Sequence, residues 1–247
     1  MEREVIKRDG RREPVQFDKI TTRIRNLSYG LDSMVDVTEL TQKVCAGVYH
    51  GVHTSELDEL AAQTAAYLST RHSDYSVLAS RIAVSNLHKN TKKSYFQTSI
   101  DLYNAGLLCD EVYKRICEIG VELDHVIAHE RDFSYDYFGF KTLEKSYLLR
   151  IGHNVVERPQ FMLMRVAVSL HVTSPLREII QTYELLSRKY YTHASPTLFN
   201  AGSKQGQLSS CFLVTMKEDS IEGIFDTLKQ CAVISKGSGG IGVSVHN

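Results

Sequence analysis

His193-Ala-Ser-Pro-Thr-Leu-Phe-Asn-Ala-Gly202 runs within a few residues into Gln207-Leu-Ser-Ser-Cys-Phe-Leu-Val214. The first half is dense in turn formers: Ser195, Pro196, Asn200 and Gly202 each favour a turn for their own reason. The second half ends in Phe212-Leu-Val214, which is apolar and β-prone and suits a core strand. Together they read as an ordered loop feeding a buried strand. Ser209, Ser210 and Cys211 fall where loop becomes strand, and small hydroxyls with a thiol at such a junction can line a polar pocket. Strand alternation puts Cys211 and Leu213 on one face, Phe212 and Val214 on the other. A lone cysteine is more often packing than chemistry, so the residues alone leave both readings open.

Working upstream, Arg158-Pro-Gln-Phe-Met-Leu-Met-Arg-Val-Ala-Val-Ser-Leu170 predicts a helix with Pro159 at its start. Met162, Val166 and Leu170 would form its apolar face. A second helix is expected from Glu178 to Tyr190, with Ile179, Ile180, Tyr183 and Leu186 apolar. Downstream, Asp219 or Ser220 can cap a helix carrying Ile224, Leu228, Ala232 and Ser235 on one face. Gly237-Ser-Gly-Gly-Ile-Gly242 satisfies G-x-G-x-x-G, but a dinucleotide fingerprint needs a strand before it and a helix after it. Here a helix precedes and β-prone Ile241-Gly-Val-Ser-Val245 follows, so dinucleotide binding is rejected.

The N-terminal part has its own organisation. Residues 4–17 predict a β-hairpin turning at Asp9-Gly10, with Pro14 marking an edge or bulge. Asp18 would cap a helix carrying Ile20, Ile24 and Leu27. Helices are further expected from Val37 to about Tyr49, after Thr54 or Ser55, and from Ser73-Asp74. Ser55-Glu-Leu-Asp58 has the shape of a capping box. Residues 1–94 thus form a hairpin plus four helices. Residues 95–130 suggest only short helices. The aromatic run from Arg131 to Phe140 reads as packed core.

The 247 residues carry a formal net charge of +0, which gives no electrostatic case for nucleic acid or membrane binding. No apolar run approaches a membrane span, and Met1-Glu-Arg-Glu4 lacks the apolar region of a signal peptide. Cys45, Cys109, Cys117, Cys211 and Cys231 are widely spaced, odd in number and form no Cys-x-x-Cys pair. A reducing cytoplasm is the natural compartment. His50 and His53 sit in a turn, a poor metal site.

THASPTLFNAG…QLSSCFL closely resembles the substrate-cradle segment of the large subunits of class I ribonucleotide reductases. VIKRDGRREPVQFDKI resembles the start of the family's N-terminal regulatory module, the ATP-cone, and SRIAVSNLHKNTKK its last helix. The resemblance implies an α+β chain. An ATP-cone over residues 1–94 would be followed, over 95–247, by a mainly helical segment and the first strand of a ten-stranded α/β barrel. It implies an oxidoreductase that replaces the ribose 2′-hydroxyl of ribonucleoside diphosphates with hydrogen. Cys211 would be a redox thiol, and Ser195 and Ser210 would contact substrate.

Adenine-nucleotide contacts would fall on Lys7, Arg8, Glu13, Pro14, Val15, Gln16, Phe17, Asp18, Lys19, Thr54, Asp58 and Lys89. Taken one at a time, the surface cations among them are ordinarily just solvated. Deoxynucleotide specificity contacts would map to Asp219, Ser220, Ile221 and Lys236 at a dimer interface. ATP, dATP and deoxynucleoside triphosphates, with Mg²⁺, would be effectors. The implied partners are a metal-containing small subunit that supplies a radical, thioredoxin or glutaredoxin as reductant, and further copies of the chain in dimers, or hexamers with dATP. The family's radical cysteine, second redox cysteine, catalytic carboxylate and C-terminal cysteine pair find no counterpart before Asn247. The resemblance therefore implies an N-terminal portion that does not reduce ribonucleotides alone. The rival readings are a non-catalytic nucleotide-sensing protein, which has no use for a substrate cradle, and a purely structural interaction protein.

Overall fold

The computed structural model describes residues 3–245. In chain order its elements are β1 (Glu4–Ile6), β2 (Arg12–Pro14), α1 (Phe17–Leu27), α2 (Val37–Ala46), β3 (Val52–His53), α3 (Thr54–Leu68) and α4 (Asp74–Asn90). Then come α5 (Tyr95–Asn104), α6 (Asp110–Val126), a 3-10 helix (His129–Ser134), α7 (Tyr137–Ser146), β4 (Arg150–Ile151) and β5 (Asn154–Val155). The last are α8 (Pro159–Leu170), α9 (Leu176–Ser187), α10 (Ser195–Asn200), β6 (Cys211–Thr215), α11 (Ile221–Lys236) and β7 (Gly240–Ser244). They divide into two compact units. The first holds the residues up to 93 with 129–146 and 154–158; the second holds 94–128, 147–153 and 159 onward.

In the first unit the expected hairpin is present. Val5 lies opposite Glu13 and Ile6 opposite Arg12. Gly10 takes φ +84°, the left-handed conformation that such a turn needs and that glycine adopts without strain. β3, unforeseen in the sequence, adds to β1 in parallel, so β2 with Pro14 is an edge strand. Val5, Val48, Val52 and Leu57 cluster beneath the sheet with Val15 and Ile20 against them. α3 and α4 pack closely through small residues: Ala61, Ala62 and Ala65 on one helix, Ala79 and Ala83 on the other, all buried. Two expected caps are not made. Gln16, not Asp18, precedes α1, and Asp18 lies inside the first turn. His53 precedes α3 without a side-chain cap, and Asp58 turns inward instead of back to the helix start.

In the second unit residues 95–130 form two full helices rather than short ones. Asp124 near the end of α6 accepts bonds from the Tyr95 and Phe96 amides, capping α5. α8 begins at Pro159 as expected and is buried on every side from Pro159 to Val168, while Leu170, placed on its apolar face by spacing, is exposed. α9 starts at Leu176, earlier than expected, and ends at Ser187. The first half of the opening stretch folds as the short helix α10 rather than as a loop, because Pro196 is pre-set for a helix start.

β6, α11 and β7 form a parallel strand–helix–strand unit, with Cys211 opposite Gly240. The expected buried strand is corrected here. β6 alternates exposed and half-buried, and Leu213 is 95% exposed. The expected apolar stripe of α11 lies on one face, and that face is open. The helix rests on Gly223 and Thr227, and leaves Ile224 and Leu228 exposed.

Candidate functional site

The hairpin turn, α1, the start of α3 and the end of α4 enclose a cavity of about 350 Å³. Ile20, Ile24, Leu57, Ala61 and Ile82 give it an apolar lining; Lys7, Arg8, Lys19, Arg23 and Lys89 outnumber the acids Asp9 and Asp58. The hairpin brings Lys7 and Arg8 there because the Lys7 amide bonds the Arg11 carbonyl at 2.8 Å, folding the turn tightly. Lys19, Ile20, Arg23 and Ile24 arrive together because they share one face of α1 at helical spacing.

Asp58 is the hub. Its carboxylate is buried and accepts bonds from Arg8 Nη2 at 2.9 Å, Arg23 Nε at 2.5 Å and Arg23 Nη2 at 3.1 Å; Lys89 Nζ lies 3.6 Å away. Arg8 also donates to Asn86 and to Asn90 Oδ1 at 2.6 Å, and Arg23 donates to Ser85 Oγ at 3.2 Å. The guanidinium groups are therefore held in place before any ligand arrives. Burial pushes the Lys89 ammonium down to about 8; Asp58 opposes that shift, while Arg23 and Arg8 reinforce it. A cavity with an apolar lining and fixed cations accommodates a flat apolar group carrying anionic substituents.

Lys7, Arg8, Lys19, Thr54, Asp58 and Lys89, all named from the sequence, line this cavity. Glu13 stands one step out and bridges Lys7 at 3.6 Å and Lys19 at 3.4 Å. Pro14, Val15, Gln16, Phe17 and Asp18 are not brought into it. Val15 packs on the sheet cluster, Phe17 lines a separate depression with Thr38 and Cys45, and Asp18 opens another beside Lys19 and Arg23. Sequence reasoning missed Arg23 and the apolar lining, although the shared face of α1 carried that signal.

In the second unit Cys211 is exposed at the start of β6, with the Ser210 hydroxyl 3.6 Å from its sulfur. Ser195 opens α10, and its hydroxyl lies 2.7 Å from that of Tyr147, whose ring stacks on Phe199. Thr197 Oγ1 donates to the Leu208 carbonyl and Asn200 Nδ2 to the Gln207 carbonyl, tying α10 to the run that enters β6. Ser220 caps α11 by accepting from the Gly223 amide, and Ile221 is exposed beside it. Lys236 ends the same helix, roughly 23 Å away at 1.5 Å per residue. One copy of the chain thus does not gather Asp219, Ser220, Ile221 and Lys236 into one site.

Comparison with known proteins adds family descriptions to these regions. Residues 3–90 match an ATP cone domain, residues 133–206 the ribonucleotide reductase all-alpha domain, and residues 209–247 the ribonucleotide reductase barrel domain. The ribonucleoside-diphosphate reductase large subunit of Arabidopsis thaliana is 60% identical over 253 residues, covering 98% of this chain and 31% of its own length. The large chain of Schizosaccharomyces pombe is 57% identical with the same coverage. The large subunit of Danio rerio is 57% identical over 251 residues, at 98% of this chain and 32% of its own. The chain spans about a third of the length of these relatives. With that identity along nearly its whole length, and a cone, an all-alpha and a barrel match in succession, this chain belongs to the family of ribonucleoside-diphosphate reductase large subunits.

Proposed function

We propose that this chain is the nucleotide-sensing and substrate-cradling part of an enzyme that reduces ribonucleoside diphosphates to deoxyribonucleoside diphosphates. The observation that carries it is the cavity between hairpin, α1, α3 and α4, where fixed cations surround an apolar lining. ATP and dATP would place the base among Ile20, Ile24, Leu57 and Ile82 and the phosphates against Lys7, Arg8 and Lys89. Mg²⁺ would enter with the triphosphate and take its ligands from phosphate oxygens, since no group of three His, Cys, Asp or Glu side chains suited to a metal occurs among the described residues.

In the second unit, Cys211 would act on the ribose. Replacing the 2′-hydroxyl by hydrogen takes two electrons and two protons. Two thiols supply them, their sulfurs join as a disulfide, and the hydroxyl leaves as water. Cys211 would be one of those thiols, with Ser195 and Ser210 holding substrate. Thioredoxin or glutaredoxin, both dithiol proteins, would return the disulfide to thiols. A metal-containing small subunit would supply the initiating radical. Asp219, Ser220, Ile221 and Lys236 would form an effector site only when a second copy brings the opposite end of its helix alongside, in a dimer or a dATP-bound hexamer. A cytoplasmic setting suits the free thiols; no helix among the described residues is long and apolar enough to cross a membrane.

Calorimetry tests the nucleotide reading. Charge-assisted phosphate contacts contribute about 1.5–3 kcal/mol each, so Lys89→Ala should weaken ATP binding about tenfold or more. Equal affinity in parent and variant would remove Lys89 from the site. The pH dependence has a definite sign. Below about 8 Lys89 is already charged; above that, phosphate binding must draw a proton onto it. Affinity should therefore fall as pH rises through about 8, by up to about tenfold per unit. At pH 8 to 9 the heat should vary with buffer ionisation enthalpy in the direction of proton uptake; a buffer-independent heat would contradict it.

Cys211→Ser should leave thermal stability within about 2 °C of the parent, because the side chain is exposed. A marked loss would indicate a packing cysteine instead of a redox thiol.

A further inference from the structure

The end of α4 carries Lys89 into the cavity, and the same turn is gripped from its other side by residues beyond the matched cone. Arg158 is 3% exposed. Its Nε donates to Thr91 Oγ1 at 2.8 Å, and its Nη2 donates to the carbonyls of His88 at 3.0 Å and Thr91 at 3.1 Å. These groups lie at the C-terminus of a 17-residue helix, where carbonyls lack helical partners and a cation complements the dipole. Asp132 is fully buried, and its Oδ2 lies 2.6 Å from His88 Nε2, the side chain adjacent to Lys89. The cone match stops at residue 90, yet 129–146 and 154–158 belong to the same compact unit.

We infer that Arg158 is a positioning residue for the nucleotide cavity: by capping the last turn of α4, with Asp132 holding His88, it fixes where Lys89 points. The inference rests on the nucleotide reading above. It also gives that reading a route by which cavity occupancy and residues 129–146 and 154–158 of the same unit influence each other, since any such coupling is reciprocal.

The test compares the parent chain with Arg158→Lys and Thr91→Val, two mild variants, and with Lys89→Ala. Arg158→Lys keeps the charge but loses the fork, so its ATP dissociation constant should rise about tenfold, within the usual range of coupling between sites. Thr91→Val should fall between it and the parent. A second readout isolates positioning from general loosening. Carbon-13 NMR of the Lys89 Cε should titrate near 8 in the parent and move toward the ordinary 10.5 in Arg158→Lys, as the freed side chain reaches water. ATP binding and a Lys89 titration both unchanged in Arg158→Lys, while Lys89→Ala binds weakly, would overturn the positioning role and leave the nucleotide reading standing. A parent chain that does not bind ATP would overturn both.

Discussion

Asp58→Ala lowers the melting temperature of the N-terminal unit by more than about 10 °C. The side chain is 6% exposed and is the common acceptor for Arg8 and Arg23, with Lys89 close by. Without it these cations face one another across a partly dehydrated cavity. Removing one partner of a buried ion pair costs about 3–5 kcal/mol, because the other charge is left uncompensated. In a unit of a little over 100 residues each kcal/mol moves the midpoint by about 4 °C. The loss should be partly reversed by ATP or by millimolar phosphate, since an anion can take the carboxylate's place among the cations. Thermal unfolding of parent and variant, with and without phosphate, measures both effects. A variant as stable as the parent would mean that the cations do not depend on Asp58.

Arg165→Ala is the second large effect, and it falls in the other unit. Arg165 is 1% exposed; its Nη1 donates to the Ala201 carbonyl at 2.6 Å and its Nη2 to the Leu198 carbonyl at 3.1 Å. Gly202, at φ +79°, lets the chain turn against it, and a Cβ there would stand 3.2 Å from Arg165 Cγ. Truncation opens a cavity and strips buried carbonyls of their donor, together about 3 kcal/mol or more. α10, which carries Ser195, should then detach, and the exposed Lys204–Gly206 run should become a proteolytic site. Arg165→Met refills the volume without the bonds and should recover part of the loss. Denaturant unfolding with limited proteolysis checks both variants. If Arg165→Ala resists protease as well as the parent, Arg165 does not anchor this segment.

Features set by local chemistry were legible in the sequence. Asp9-Gly10 announced the hairpin because few residue pairs tolerate its turn, and Pro159 announced the start of α8 because proline is pre-set for that position. Partners distant in the chain were not. Asp58 reads locally as a helix cap, and only folding shows that Arg8 and Arg23, 50 and 35 residues away, claim it first. β3 is too short, at Val52–His53, to leave a periodic signal.

In α11 the apolar spacing of Ile224 and Leu228 was read correctly as a face, but spacing does not say what covers it. Gly223 lets the Glu218 backbone fold close over the first turn of the helix, an approach that a Cβ would block. The nucleotide cavity was half legible. Its basic rim is a local pattern on the hairpin and α1. Its apolar lining comes from α1, α3 and α4 together and became visible as a lining only once they were packed.

The most direct test of the account is an amide proton–nitrogen correlation spectrum of the labelled chain titrated with ATP at pH 7. The account predicts saturable shifts at Lys7–Asp9, Lys19–Ile24, Thr54–Asp58 and His88–Lys89, with α5, α6 and α9 unmoved. Shifts confined to the Ser220 end of α11, or none at all, would contradict it.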